Sequence, residues 1–135
     1  MTHALATADK LTAALDTLVD RVPGAEYAVV LSSDGLPLGW SRTVEGDQAE
    51  QVAGLVSGLH AFGQATARVC GTAVLHQVVV QMSRAFVFVA TIRSGAILAV
   101  RLRIDADIAD MAYEVALFVA RAERDLPVHL EPARP

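Results

Sequence analysis

Val29-Val30-Leu31-Ser32-Ser33-Asp34-Gly35-Leu36-Pro37-Leu38 decides how the rest of this chain is read. It spells a short strand, an Asp-Gly turn and a second short strand. Asp-Gly signals a two-residue type I′ hairpin, in which both central residues take φ > 0. Asp34 and Gly35 are therefore read as the turn that sets hairpin register, not as a binding loop. The first strand covers Glu26–Ser32 and the second Leu36–Ser41. Pro37 cannot donate a ladder hydrogen bond and Gly39 weakens the strand, so the second strand belongs at a sheet edge.

Upstream lies a helix, Ala8–Val22. Leu11, Leu15, Leu18, Val19 and Val22 form one stripe with period 3.6, and Asp9, Asp16 and Asp20 share a different face. Thr7 is the expected N-cap, and Pro23-Gly24 ends the helix. Downstream, Asp47–Val69 is one long Ala- and Gly-rich helix with Asp47 as its expected cap. At 100° per residue, Val52, Val56, Leu59, Gly63 and Ala67 form one apolar face. Gly54, Leu55, Gly58, Ala61, Phe62 and Ala65 form a second, roughly opposite. A polar stripe of Glu50, Ser57, Gln64 and Arg68 runs between them. A helix apolar on two sides must be buried on two sides. One side can be its own sheet, and the small residues on the other admit a second backbone.

Gly71 ends that helix. Three strands follow, Thr72–Met82, Ala85–Ile92 and Ala96–Leu102, joined by Ser83-Arg84 and Arg93-Ser94-Gly95. Connections this short make them antiparallel neighbours. The third strand carries Val74, Leu75, Val78, Val79 and Val80 with no Pro or Lys to blunt it. As an edge it would aggregate unless something pairs with it. A last helix, Ala106–Arg124, has Asp105 as its expected cap. Ile108, Met111, Ala112, Val115, Phe118, Val119 and Ala122 face inward, and Asp107, Asp110, Glu114 and Arg121 face outward. The chain reads as one α/β domain over 1–126 and a loose Pro-containing tail over 127–135.

Composition supports association. The 135 residues are 53% hydrophobic with a mean hydropathy of +0.41, yet only 5% aromatic. Ala, Val and Leu must carry the burial, and some apolar surface needs a cover. The charge-free run Gln51–Ala67 contains Gln51, Ser57, His60, Gln64 and Thr66, whereas a membrane span needs about 20 mostly apolar residues. The N-terminus carries Asp9 and no apolar core ahead of a cleavage site, so no signal peptide is expected. One cysteine allows no intrachain disulfide, which fits a reducing cytoplasm. A net charge of −4 argues against a nucleic-acid binder.

The residue types for catalysis do not converge. His60 and His76 lack metal-ligand spacing and read as packed or edge histidines. Cys70 closes a helix, where the dipole disfavours a thiolate, and reads as a small buried hydrophobe. Gly54-Leu55-Val56-Ser57-Gly58 has the wrong spacing for a nucleophile elbow. No phosphate-binding loop occurs, so the chain is not expected to bind GTP itself. No catalytic residue, metal site or cofactor is assigned. Arg42 has no second basic residue near it in sequence to build an anion site.

The order helix–strand–strand–helix–three strands–helix, with Ser-Asp-Gly-Leu-Pro-Leu at the first hairpin, resembles the roadblock (dynein light chain) family. The likeness covers Leu11–Arg124 and is strongest over Tyr27–Leu38 and the helix after it. The chain looks most like small bacterial members that partner Ras-like GTPases. The resemblance implies a five-stranded antiparallel sheet of order 2-1-5-4-3. The central helix would lie on one face and the two terminal helices on the other. It further implies a homodimer through the third strand and central helix. The interface would then comprise Gly54, Leu55, Gly58, Ala61, Phe62, Ala65, Val74, His76, Val78 and Val80. Two copies of Glu50, Ser57, Gln64 and Arg68 would merge into a surface for a small Ras-like GTPase. The expectation is a cytoplasmic regulator or adaptor that is not itself an enzyme, with no nucleic acid and no membrane insertion. The alternatives are a pure dimeric scaffold linked to a sensor kinase, and a small-ligand sensor. A ligand sensor needs convergent polar groups, of which the core faces offer few.

Overall fold

A computed structural model describes residues 2–71, 74–92 and 95–125. The elements are α1 (Thr2–Arg21), β1 (Ala25–Leu31), β2 (Pro37–Trp40), α2 (Gly46–Val69), β3 (Gln77–Gln81), β4 (Ala85–Thr91), β5 (Ile97–Arg103) and α3 (Ile108–Asp125). The five strands form one antiparallel sheet in the order β2-β1-β5-β4-β3. The tail expected over 127–135 lies outside the described residues.

Alternation along the central strands sorts the core into two layers. Ala28, Val30, Phe88, Leu98, Val100 and Leu102 meet Leu11, Leu15 and Leu18 of α1 and Met111, Val115 and Phe118 of α3. Val29, Leu31, Val89, Ile97 and Ala99 point the other way, onto Ala49, Ala53 and Val56 of α2. Both faces of β1 and β5 are therefore covered, and their apolar runs are continuous. The Pro37 strand lies at one edge, as its chemistry requires, and the unblunted β3 lies at the other.

Several local expectations are corrected. The first hairpin is not a type I′ turn, because Asp34 does not take a positive φ and Gly35 alone does, at +88°. The Gly35 N–H donates to the Ser32 carbonyl at 2.9 Å, and the Ser32 N–H to the Leu36 carbonyl at 2.9 Å. The Ser32 hydroxyl oxygen accepts from the Leu36 N–H at 3.1 Å. This is a three-residue loop with its glycine in the left-handed position, which needs one strained residue where type I′ needs two. Further along, the pairing shifts register between Val30 and Leu31. The chain after β2 stays tied to β1, since Ser41 exchanges bonds with Ala28 through both its N–H and its buried Oγ.

The caps move too. α1 begins at Thr2, so Thr7 lies inside it. Glu45 is the N-cap of α2 without a side-chain bond, and Asp47 stands in the first turn, where it favours the dipole. Asp107, not Asp105, caps α3. Its Oδ1 accepts from the N–H groups of Ala109 at 2.8 Å and Asp110 at 3.4 Å, while Asp105 meets the Arg103 Nε at 3.2 Å. β3 starts only at Gln77. Gln77 pairs with Ala90 and β4 ends at Thr91, so Val74 and Leu75 have no partner strand.

Candidate interaction surface

α2 is built with two different sides. Ala49, Ala53, Val56 and His60 are its buried residues, on the repeat that keeps one face toward the sheet. The alanines let the helix sit close. His60 packs as a satisfied core residue, with Nε2 at 2.7 Å from the Thr91 hydroxyl oxygen. Burial holds its pKa below the ordinary histidine value. At Gly63 the helix crosses β3 so closely that an added Cβ would stand 2.8 Å from the Val78 Cγ2 and 3.0 Å from Leu75.

The opposite side is bare. Leu55, Phe62 and Val69 recur every seven residues and are 73%, 77% and 88% exposed. Beside them, Gly54 and Gly58 face open space, with nothing within 4 Å of an added Cβ. Ala61 is exposed and Ala65 half-buried. Because Gly63 sits directly on β3, this bare side adjoins the unpaired edge of β3 in one continuous margin. Val74 is exposed there, as is His76, and Val80 is half-buried. Val78 is more committed, since it packs beneath α2 in the core. Val69 was missed by helical-wheel reasoning, although the spacing of seven from Leu55 through Phe62 points to it.

The polar stripe divides as well. Glu50, Gln64 and Arg68 are exposed. Ser57 is half-buried, its hydroxyl donates to the Gly54 carbonyl at 2.9 Å, and its Oγ stands 2.9 Å from where a Gly35 Cβ would be. It supports the first hairpin turn and offers less to a partner. Arg42 has no free anion-binding role. Its N–H donates to the Asp16 Oδ1 at 2.8 Å, and its guanidinium meets Asp16 at 3.5 Å and Asp20 at 3.3 Å. These contacts clamp the chain after β2 to α1 and occupy part of the acidic face of that helix. Cys70 is exposed at the C-cap of α2, contrary to the buried position expected of it. The helix simply overruns the sheet at that end, as the exposure of Val69 shows.

Among the described residues no three His, Cys, Asp or Glu side chains gather as a metal site. No helix among them is long and apolar enough to cross a membrane.

Comparison with known proteins follows this architecture closely. The sequence model of the Roadblock/LC7 domain matches residues 11–102. The chain belongs to the roadblock/LC7 family. A Roadblock/LC7 domain from Streptomyces avermitilis is 35% identical, with 84% of this chain and 94% of that one covered and a TM-score of 0.80. Myxococcus xanthus MglB shares the fold at 13% identity, with 85% and 93% covered and a TM-score of 0.77. The gliding protein MglB of Thermus thermophilus does so at 20% identity, with 88% and 90% covered and a TM-score of 0.76. Nothing among the curated proteins matches. In this roadblock chain the family match ends at Leu102, so α3 lies beyond it.

Proposed function

We propose that this roadblock protein acts as a homodimer that regulates or anchors a small Ras-like GTPase. One observation carries the dimer: Gly54 and Gly58 face open space in the middle of a helix. Each glycine costs a lone helix about 1 kcal/mol relative to alanine. Nothing in the chain's own fold requires either, unlike Gly63. A second backbone lying across them gives the reason. Leu55, Phe62 and Val69 flank that approach and supply apolar area for burial. The bare edge of β3 alongside would pair with its symmetry mate, which removes the edge hazard of an unblunted strand.

The GTPase is the partner the roadblock resemblance implies, and membership of the roadblock/LC7 family supports that resemblance. A twofold axis near Gly58 brings two copies of Glu50, Gln64 and Arg68 onto one face. A partner with mobile switch loops that binds there differently in its two nucleotide states would have its equilibrium shifted. A cytoplasmic location goes with such a partner. Charge reversal of Glu50 and Arg68 together tests the surface. Calorimetry with a small Ras-like GTPase from the same organism should show weakened binding while light scattering still reports a dimer. Undiminished binding would place the site elsewhere. GTP turnover with and without the wild-type protein separates a regulator from an anchor.

A further inference from the structure

On the other side of the sheet, α1 and α3 leave a trough of about 440 Å³ between them. Gly24 and Ala106 stand against each other, so α3 sets off where α1 ends and returns alongside it. Leu18 and Phe118 form a buried floor, with Leu117 half-buried beside them. Ala13, Ala14, Thr17 and Ala122 keep the walls low. Lys10 and Arg121 stand together at one end of the trough, and Arg21 and Glu114 at the other. The ion pairs among the described residues use other arginines: Arg42, Arg101 and Arg103. The trough thus has three cations and one carboxylate in a protein whose net charge is −4.

We propose that this trough docks an acidic amphipathic helix from a partner protein. From Lys10 to Arg21 the wall runs about 16 Å at 1.5 Å per residue, the length of three helical turns. That accommodates the i, i+4 and i+7 anchors with which an amphipathic helix seats in a groove. Charge decides the occupant. The chain's own residues 126–135 contain one Glu and one Arg and so carry no net charge to answer the basic rim. An external segment with carboxylates beside its apolar anchors does answer it. The site is separated by the sheet from the α2 face, so it operates independently of the GTPase reading and gives a dimer a second, outward-facing docking point.

The probes are labelled 15-residue helical peptides that share one leucine stripe and carry Glu, Gln or Lys at every flanking position. Fluorescence anisotropy with the full chain at low salt should rank them Glu, Gln, Lys. The Glu peptide should bind about tenfold more tightly than the Lys peptide, about a factor of two for each exposed pair. The difference should collapse at high salt. Lys10→Glu with Arg121→Glu should invert the order. Ala13→Trp, at an exposed wall position, should fill the trough and abolish binding of all three while circular dichroism stays unchanged. Equal binding by the three peptides, no binding by any, or binding that survives Ala13→Trp overturns the proposal. So does a dimer mass altered by Ala13→Trp, which would make a second copy the occupant. A gain in peptide affinity on changing Leu126, Val128 and Leu130 to Ser also overturns it, because the chain's own tail would then fill the trough.

Discussion

Phe62→Ala separates the two lives of α2, in its own fold and in a dimer. Phe62 is 77% exposed, so it contributes little to the isolated domain, and a substitution at such a position shifts folding stability by no more than about 0.5 kcal/mol. In a dimer packed on this face the same ring leaves water. Full burial of a phenylalanine is worth about 1.5–3 kcal/mol. With most of the ring available, each copy should supply about 1.5–2 kcal/mol on association. A twofold interface removes two rings at once, so the loss is about 3–4 kcal/mol. At about 1.4 kcal/mol per decade the dimer Kd should rise by between two and three orders of magnitude. Sedimentation equilibrium over a dilution series measures this directly, and circular dichroism on the same samples checks that the monomer stays folded. A Kd within about threefold of wild type, with the fold intact, would refute the assignment of this face to the dimer. So would a wild-type chain that is a folded monomer at micromolar concentration.

Gly58→Ala should raise the thermal midpoint of the monomer, because alanine is the better helix former by about 1 kcal/mol and its methyl meets nothing in the chain. It should weaken the dimer at the same time, and a variant that dimerises as well as wild type would mean that no backbone approaches there. Gly39→Val should lower the midpoint by several degrees. Its Cβ would stand 2.5 Å from the Leu11 Cδ2, and overpacking of this kind costs about 1–3 kcal/mol. An unchanged midpoint would show that α1 can move aside. His60→Gln tests the buried imidazole. Burial lowers the pKa of His60 in the folded chain, so the unfolded chain binds the proton more readily. Its contribution is complete above the unfolded value of about 6.5 and is lost as pH falls below it. The urea midpoint should therefore drop more between pH 7.5 and 5.5 in wild type than in His60→Gln, and equal drops would sink the argument.

The Pro37 edge was legible from strand chemistry, whereas the sheet order and the layers came from the roadblock resemblance. Pro37 and Gly39 exclude β2 from the sheet interior, and the continuous apolar run Ala28–Leu31 marks a strand covered on both faces. The caps were less legible. Asp105 and Asp107 both precede an apolar periodic run, and which one caps depends on where the backbone leaves β5. The hairpin misled for a related reason. Asp-Gly satisfies both the two-residue and the three-residue loop, and Ser32 chooses between them through its bonds to Leu36. The trough between α1 and α3 was invisible, because Glu114 and Arg121 read as a solvated face until α1 stands beside them.

The glycines of α2 show where sequence reasoning stops and why. Gly54, Gly58 and Gly63 sit in one helix and are equivalent to any propensity scale. Periodicity put Gly63 with the sheet-facing set and the other two on the far side, which proved correct, but it could not say what each one is for. That depends on the atoms a side chain would meet. At Gly63 those atoms are Val78 and Leu75, so its absence of a side chain serves the fold. At Gly54 and Gly58 there are none, so an unfavourable residue persists twice with no internal beneficiary. The flanking Leu55 and Phe62 are equally unexplained by the fold, since they gain nothing from where they point. Four positions that each weaken or waste an isolated helix become consistent once a second helix lies across them.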